Sequence, residues 1–250
     1  MREVKVSELE KLLRLQKRED ENETQAWKAA ISTQDFTPCL QLIEAALDAI
    51  LELIDVAKDE TEAQLARLHI AARVWNAVAA ALCLAKRGYI QQSFMAQRDL
   101  LEHGWLAEYF NYVPESIERW RTCSDKARRS EFTPKAIRAK LDKRDQVNSN
   151  RRGKIYSYLS KYAAHPDPRA FRMICLTTGV QVGPFWDEAR FRSCLMLLAF
   201  WTALSAAQVC KLIPAHGTSK SAVAHFLEMA RSWIETYGPV INKWVSELTT

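Results

Sequence analysis

Met95, Arg98, Glu102, Trp105 and Tyr109 recur at spacings of three and four, the repeat that lines side chains along one face of an α-helix. Arg98 and Glu102 are therefore opposite charges one turn apart in an otherwise apolar stripe, within reach of each other. Moving such a pair out of water costs several kcal/mol per ion, and roughly breaks even against apolar residues of the same size. A guanidinium held this way suits one kind of chemistry, stabilising negative charge on a phosphate, with the carboxylate orienting it. The competing role is structural, an ion pair that ties a neighbouring helix. His103 follows Glu102 directly, and imidazole is the side chain that moves protons near neutral pH. Five residues of helix subtend about 500°, which leaves Arg98 and His103 about 140° apart. One helix cannot close both onto a single phosphate, whereas two copies meeting across a symmetric interface can compose such a site.

The run Arg98-Asp99-Leu100-Leu101-Glu102-His103 resembles the Arg-x(4–6)-His signature of HEPN domains, helical bundles found in many bacterial toxin and phage-defence ribonucleases. The resemblance implies metal-independent RNA cleavage at a homodimer interface. Arg98 would contact phosphate, and His103 or His165 would handle the proton of the attacking 2′-hydroxyl or of the leaving group. Glu102 and Asp99 would orient them. A second resemblance covers Gln91 to Phe185. Bacterial helical proteins of unknown function carry a similar Arg-x3-Glu helix and a later Leu-Ser-x(3–4)-His, matched here by Arg98-x3-Glu102 and by Tyr156-Ser-Tyr-Leu-Ser160-Lys-Tyr-Ala-Ala-His165-Pro166. It implies that Arg98, Glu102, Ser160 and His165 converge. Read from the residues alone, His165 ends a helix, where the macrodipole favours its charged form and the last carbonyls offer it a partner.

Basic residues are unevenly placed. Between Arg119 and Arg172 stand 16 Lys/Arg and five acids, +11 in that window, which leaves −6 for the rest of a chain of formal charge +5. Arg128, Arg129, Lys143, Arg144, Arg151, Arg152, Lys154 and Lys161 fall in it as candidate contacts to phosphate backbones, and Tyr156, with Tyr158 and Tyr162, as a candidate platform for unstacked bases. Solvated helix faces are the plainer explanation of the same residues. The alternative function is a non-catalytic helical module that binds a protein or small ligand, with Arg98–Glu102 as structural glue.

Several chemistries find no support. Glu-x-x-His and His-Glu-x-x-His are absent, as is a Gly-rich phosphate loop, so no metal and no cofactor is expected. The six cysteines are scattered without a Cys-x-x-Cys pair, which argues against a thiolate zinc site or disulfide framework and fits a cytoplasmic protein. The charged start of the chain lacks the apolar run of a secretory signal. Ser193 to Cys210 carries no formal charge over 18 residues, near the lower limit for a membrane span. Ser193, Thr202, Ser205 and Gln208 interrupt it and no second clean span accompanies it, so a buried central helix is expected instead.

The elements that must position these residues read as helices. Glycine is 7 of 250 residues, roughly 3% against a usual ~7%, a scarcity that favours long helices over turn-rich sheets. A Ser7/Glu10 capping box opens a peripheral first helix running to Ile31. Thr37-Pro38 reads as cap and first position of a second helix, whose core stripe is Leu40, Ile43, Leu47, Ile50 and Ile54. Thr61 with Gln64 caps a third, ended by Gly88. The fourth spans Tyr89 to Val113, and a fifth runs from Pro114 through Arg129. Thr133-Pro134 starts a sixth, reaching Val147, and Gly153 to Ala164 forms a short seventh before His165-Pro166. A small β-hairpin fits within 171–185, around Thr177-Thr178-Gly179. Asp187 to Ile213 and Ser221 to Leu248 complete the chain, the last bent or broken at Gly238-Pro239. The expected fold is an all-α, multi-helix bundle forming one domain over residues 1–250.

Overall fold

The computed structural model describes residues 9–33, 36–57, 61–146, 150–161, 168, 170–176 and 179–248. Among these the chain forms α1 (Glu10–Ser32), α2 (Phe36–Asp55), α3 (Glu62–Lys86), α4 (Ile90–Tyr112), α5 (Ser116–Thr122), α6 (Asp125–Glu131), α7 (Pro134–Arg144), α8 (Arg151–Leu159), α9 (Glu188–Leu212) and α10 (Ser219–Leu248). A 3₁₀ turn (Ala170–Ile174) leads into two-residue strands β1 (Cys175–Leu176) and β2 (Gly179–Val180), antiparallel with Cys175 opposite Val180. The all-α bundle and its one small hairpin are as the sequence leads one to expect.

α9 is the hub. It packs against α2, α3, α4 and α10, and its uncharged stretch is buried on nearly every side, from Phe191 to Leu212. By length and composition α3 and α9 could each cross a membrane, so the sequence reading missed a second candidate span; in α9, 78% of that apolar window is enclosed by the other helices. One hydrophobic cluster runs from Ala26 on α1 to Ile241 on α10. α1 is therefore docked. Its buried residues are Asn22, Ala26, Ala29 and Ala30, and Glu23 meets Lys86 at 2.7 Å. The Ser7 cap lies outside the described residues.

Caps explain most of the boundaries. Thr61 accepts from the Gln64 backbone while the Gln64 side chain accepts from Thr61 N–H, the reciprocal pair expected for α3. Gly88, with φ of +90°, ends that connection in a conformation that L side chains rarely adopt. Four boundaries differ from the sequence reading. Thr37 lies inside α2 and its hydroxyl donates to Ala30 O at 2.9 Å, so it ties α2 to α1 instead of capping. The stretch after Pro114 is two helices because Cys123 is extended and Ser124 caps α6, its hydroxyl accepting from Ala127 N–H. The short helix after Asn150 starts at Arg151, following a left-handed Asn150 (φ 49°). α10 runs through Pro239 instead of breaking there.

α4 separates two layers. One face, with Leu100, Leu101, Gly104 and Ala107, is buried, and a Cβ on Gly104 would lie 2.7 Å from Ser205 Cβ, so only glycine lets α4 approach α9 this closely. Gln97 on the same side is fully buried and donates to Cys194 O at 3.3 Å. The other face meets α7 and α8, and that is the face carrying Arg98, Glu102, Trp105 and Tyr109.

Candidate functional site

Arg98 Nε donates to Glu102 Oε1 at 3.1 Å, with the two side chains 27% and 24% exposed. The pair is mostly withdrawn from water, as its place in an apolar stripe implied. Met95, at the start of that stripe, is exposed. Arg98 reaches further: its Nη2 donates to the Tyr156 hydroxyl at 2.6 Å, carrying the link from α4 to α8. Tyr156 also lies 6.5 Å from Trp105, ring centre to ring centre.

The second cation on Tyr156 is Arg138 of α7. Its guanidinium carbon sits 4.0 Å from the Tyr156 ring centre and 5.6 Å from that of Trp105, within cation–π range of both. Arg138 forms no hydrogen bond or ion pair among the described residues, and its Nη1 is buried without an acceptor. Burial pulls its pKa below the usual arginine value, against the attraction of Tyr156, Glu102 and Asp142. Tyr156 thus holds two guanidinium groups: Arg98, bonded to its hydroxyl and 4.8 Å from its ring centre, and Arg138 on the ring. With a ring face occupied and the hydroxyl engaged, it is a strut between cations and not the open stacking platform the sequence suggested.

Arg138 and Tyr156 line a cleft of about 630 Å³ between α7 and α8, together with Lys135, Asp142, Ser160 and Lys161. Asp142 is already bound to Arg152 at 2.8 Å. Ser160 is 6% exposed, and its hydroxyl has no partner among the described residues. A serine at a helix end ordinarily back-bonds to a carbonyl one turn earlier; Ser160 does not. Lys135 and Lys161 have no acidic partner among the described residues. The cleft therefore gathers three cations without an ion pair and a hydroxyl without a hydrogen bond, among the described residues.

The remaining basic candidates divide sharply. Arg144 and Arg152 both bind Glu108 of α4, and Asp145 accepts from each at 2.6 Å. The Arg144 hydrogen bond is the main reason the Asp145 carboxyl sits below its ordinary pKa, opposed by burial and helped by Arg152. Arg128 spans Asp125 and the carbonyls of Trp120, Arg121 and Cys123. Arg151 donates to Asn242. These four stitch helices together. Arg129, Lys143 and Lys154 are exposed and make no ion pair among the described residues.

His103 does not join Arg98. Its Nδ1 lies 2.8 Å from the Asp99 carbonyl, an atom that can only accept, so the proton is on Nδ1 and Nε2 is left as the acceptor of the neutral ring. Asp99 in turn binds Arg73 of α3 at 3.1 Å. The Arg73–Asp99–His103 chain faces α3, whereas Arg98 and Glu102 face α7 and α8, the divergence the helix angle requires. His165 lies outside the described residues. Of the residues expected to converge, Arg98 and Glu102 bond each other, and Arg98 bonds Tyr156, which lines the cleft together with Ser160. Among the described residues, no three His, Cys, Asp or Glu side chains gather as a metal ion would need.

Sequence reasoning counted Lys135 and Arg138 among the basic residues but did not place them in the site. The signal was present: Lys135, Arg138 and Asp142 stand three and four apart, one face of α7. Comparison with family models, with curated proteins and with solved structures finds no match. The geometry of the cleft carries the functional reading by itself.

Proposed function

We propose that this chain binds RNA through its phosphates, with the α7–α8 cleft as the seat of one phosphate group. The observation that carries the reading is Arg138, a guanidinium held on an aromatic ring, partly enclosed, with no ion pair among the described residues. A cation left so is costly to the fold unless something anionic completes it. Exposed Arg129, Lys143 and Lys154 on α6, α7 and α8 extend positive charge beyond the cleft, as a polyanion needs and a lone small anion does not. The covered Tyr156 ring favours recognition of the backbone over that of bases. RNA, as opposed to DNA, follows from the resemblance of the Arg98–His103 run to HEPN ribonucleases.

The test is fluorescence anisotropy with a labelled single-stranded RNA across a salt series. Binding should weaken with salt, and Arg138→Met should lower affinity at least about tenfold, with the log–log salt slope falling by roughly one. Absence of binding at low salt, or indifference to the substitution, overturns the proposal.

One observation favours a catalytic reading as well. His103 presents a free Nε2 away from Arg98 in its own chain, which is where a base would sit if a second copy supplied the arginine. RNA cleavage in EDTA by the wild type, lost in His103→Ala with the helical circular dichroism intact, is expected on that reading. Intact RNA after long incubation leaves a binding module only.

A further inference from the structure

We infer that the α7–α8 cleft accepts a phosphomonoester, the terminal phosphate of an RNA strand or of a nucleotide, in preference to an internal phosphodiester. The inference rests on the phosphate-binding reading above and narrows it.

Charge balance is the first argument. Lys135, Arg138 and Lys161 line the cleft without an acidic partner among the described residues. Of the described carboxylates nearby, Glu102 is paired with Arg98 at 3.1 Å, whereas Asp142 shares Arg152 with Glu108 and Asp145, whose other partner is Arg144. Two arginines thus face three carboxylates there, and the surplus at the cleft is two positive charges. A phosphodiester brings one negative charge to this surplus, whereas a monoester brings about −1.5 to −2 at pH 7 together with three strong acceptor oxygens. The second argument is the donor set. Arg138 Nη1 and Ser160 Oγ are the two polar atoms lining the cleft that are enclosed and unpartnered. Turned toward the cleft, these two groups with the two lysines would supply one donor or more for every oxygen of a terminal phosphate. A cleft of about 630 Å³ also has room for a nucleotide entering end-on.

The inference has a pH signature. The second ionisation of a phosphomonoester lies near pH 6, while a diester keeps its charge throughout. Among the described residues the charged and titratable groups lining the cleft are Lys135, Arg138 and Asp142 from α7, Tyr156 from α8 and Lys161 just beyond it, with Arg98 and Glu102 of α4 and Arg152 of α8 behind them as partners of Tyr156 and Asp142. Both acids are paired with arginine. A histidine entering the site would act the other way, losing its charge and weakening binding as pH rises.

The probes are one RNA sequence carrying a phosphate at its 5′ end, at its 3′ end, or at neither, titrated against the full chain at pH 7.5 and pH 5. We expect one phosphorylated form to bind at least about tenfold tighter than the unphosphorylated strand at pH 7.5, with the gap shrinking toward pH 5. The variant Lys135→Ala/Lys161→Ala, which replaces one exposed and one half-buried lysine and removes nothing from the core, should erase the gap. Competition by AMP and inorganic phosphate sorts the source. Full displacement by AMP assigns a small phosphomonoester, and retention of the strand assigns the RNA end. Equal affinity for all three strands at pH 7.5, with binding still lost in Arg138→Met, overturns the inference and leaves RNA binding standing. No binding of any strand overturns both.

Discussion

Replacing Arg138 with methionine should make the free protein more stable and its phosphate complex weaker. Arg138 Nη1 is buried with no acceptor, and an unsatisfied buried donor costs about 1–3 kcal/mol. Against that stands the contact with Tyr156 and Trp105 at 4.0 and 5.6 Å, worth about 0.5–2 kcal/mol. Methionine keeps much of the stem and makes its own sulfur–aromatic contacts, worth about 0.3–1.5 kcal/mol. Glu102 and Asp142 attract the guanidinium only from within their own arginine pairs, so little is lost there. The balance is a gain of about 1 kcal/mol, or a Tm higher by about 2–4 °C in a chain of this length. Urea unfolding followed by far-UV circular dichroism reads it, with an unchanged m-value required for the comparison. Saturating ligand should reverse the order, since at a hundredfold excess over Kd the wild type gains about 2.7 kcal/mol by linkage and the variant much less. A variant at least about 1 kcal/mol less stable than the wild type without ligand, with equal stabilisation of both by phosphate, would make Arg138 a structural tie and remove the argument for a ligand.

Three further outcomes follow from the same contacts. Arg98→Met should cost about 2 kcal/mol in the same assay, between the values for exposed and fully buried pairs, because Glu102 and the Tyr156 hydroxyl both lose their donor; Arg98→Met/Glu102→Leu should recover most of it, and an additive double-mutant cycle would deny the coupling. Gly104→Ala forces a Cβ to within 2.7 Å of Ser205 Cβ and should cost about 1–3 kcal/mol, part of it recovered by Ser205→Gly; a neutral Gly104→Ala would mean that α4 and α9 have slack. Asp145→Asn should destabilise at neutral pH but not in acid. The folded Asp145 pKa is depressed by Arg144 and Arg152, so its contribution is present above the unfolded value of about 4 and is lost as pH falls through the lower folded value; a wild-type-to-variant gap that stays constant from pH 7 to pH 2 would contradict this.

The parts of the site that lie within one helix were legible in the sequence. Spacings of three and four placed Arg98 and Glu102 one turn apart on a half-buried face, and five residues of helix separated His103 from them. Reciprocal capping by Thr61 and Gln64 was equally local. What failed was anything decided by a distant partner. The charge excess between Arg119 and Arg172 counted only acids inside that window, yet Glu108 and Glu62, both upstream of it, pair with Arg144, Arg152 and Arg121. Two of the apparent phosphate contacts, Arg144 and Arg152, were thereby already paired, as was Arg121 in the basic window. Tyr156 read as an open aromatic because nothing in its own segment announces that Arg98 and Arg138, 58 and 18 positions earlier, occupy it from two sides. Pro114 to Arg129 read as one helix because the apolar pattern continues, whereas Ser124 offers the backbone a competing cap. Thr37 had the residue type of a cap and the hydroxyl of a tertiary tie, and packing against α1 chose the second.

The most direct test is a crystal structure grown with tungstate, a tetrahedral dianion of phosphate-like charge whose anomalous scattering marks its position. The account predicts one strong peak in the α7–α8 cleft, with the tungstate oxygens about 3 Å from Arg138 nitrogens and the Ser160 hydroxyl and those two side chains turned toward them. Tungstate bound only at exposed Lys143 or Lys154, with Arg138 and Ser160 still unpartnered, would contradict it.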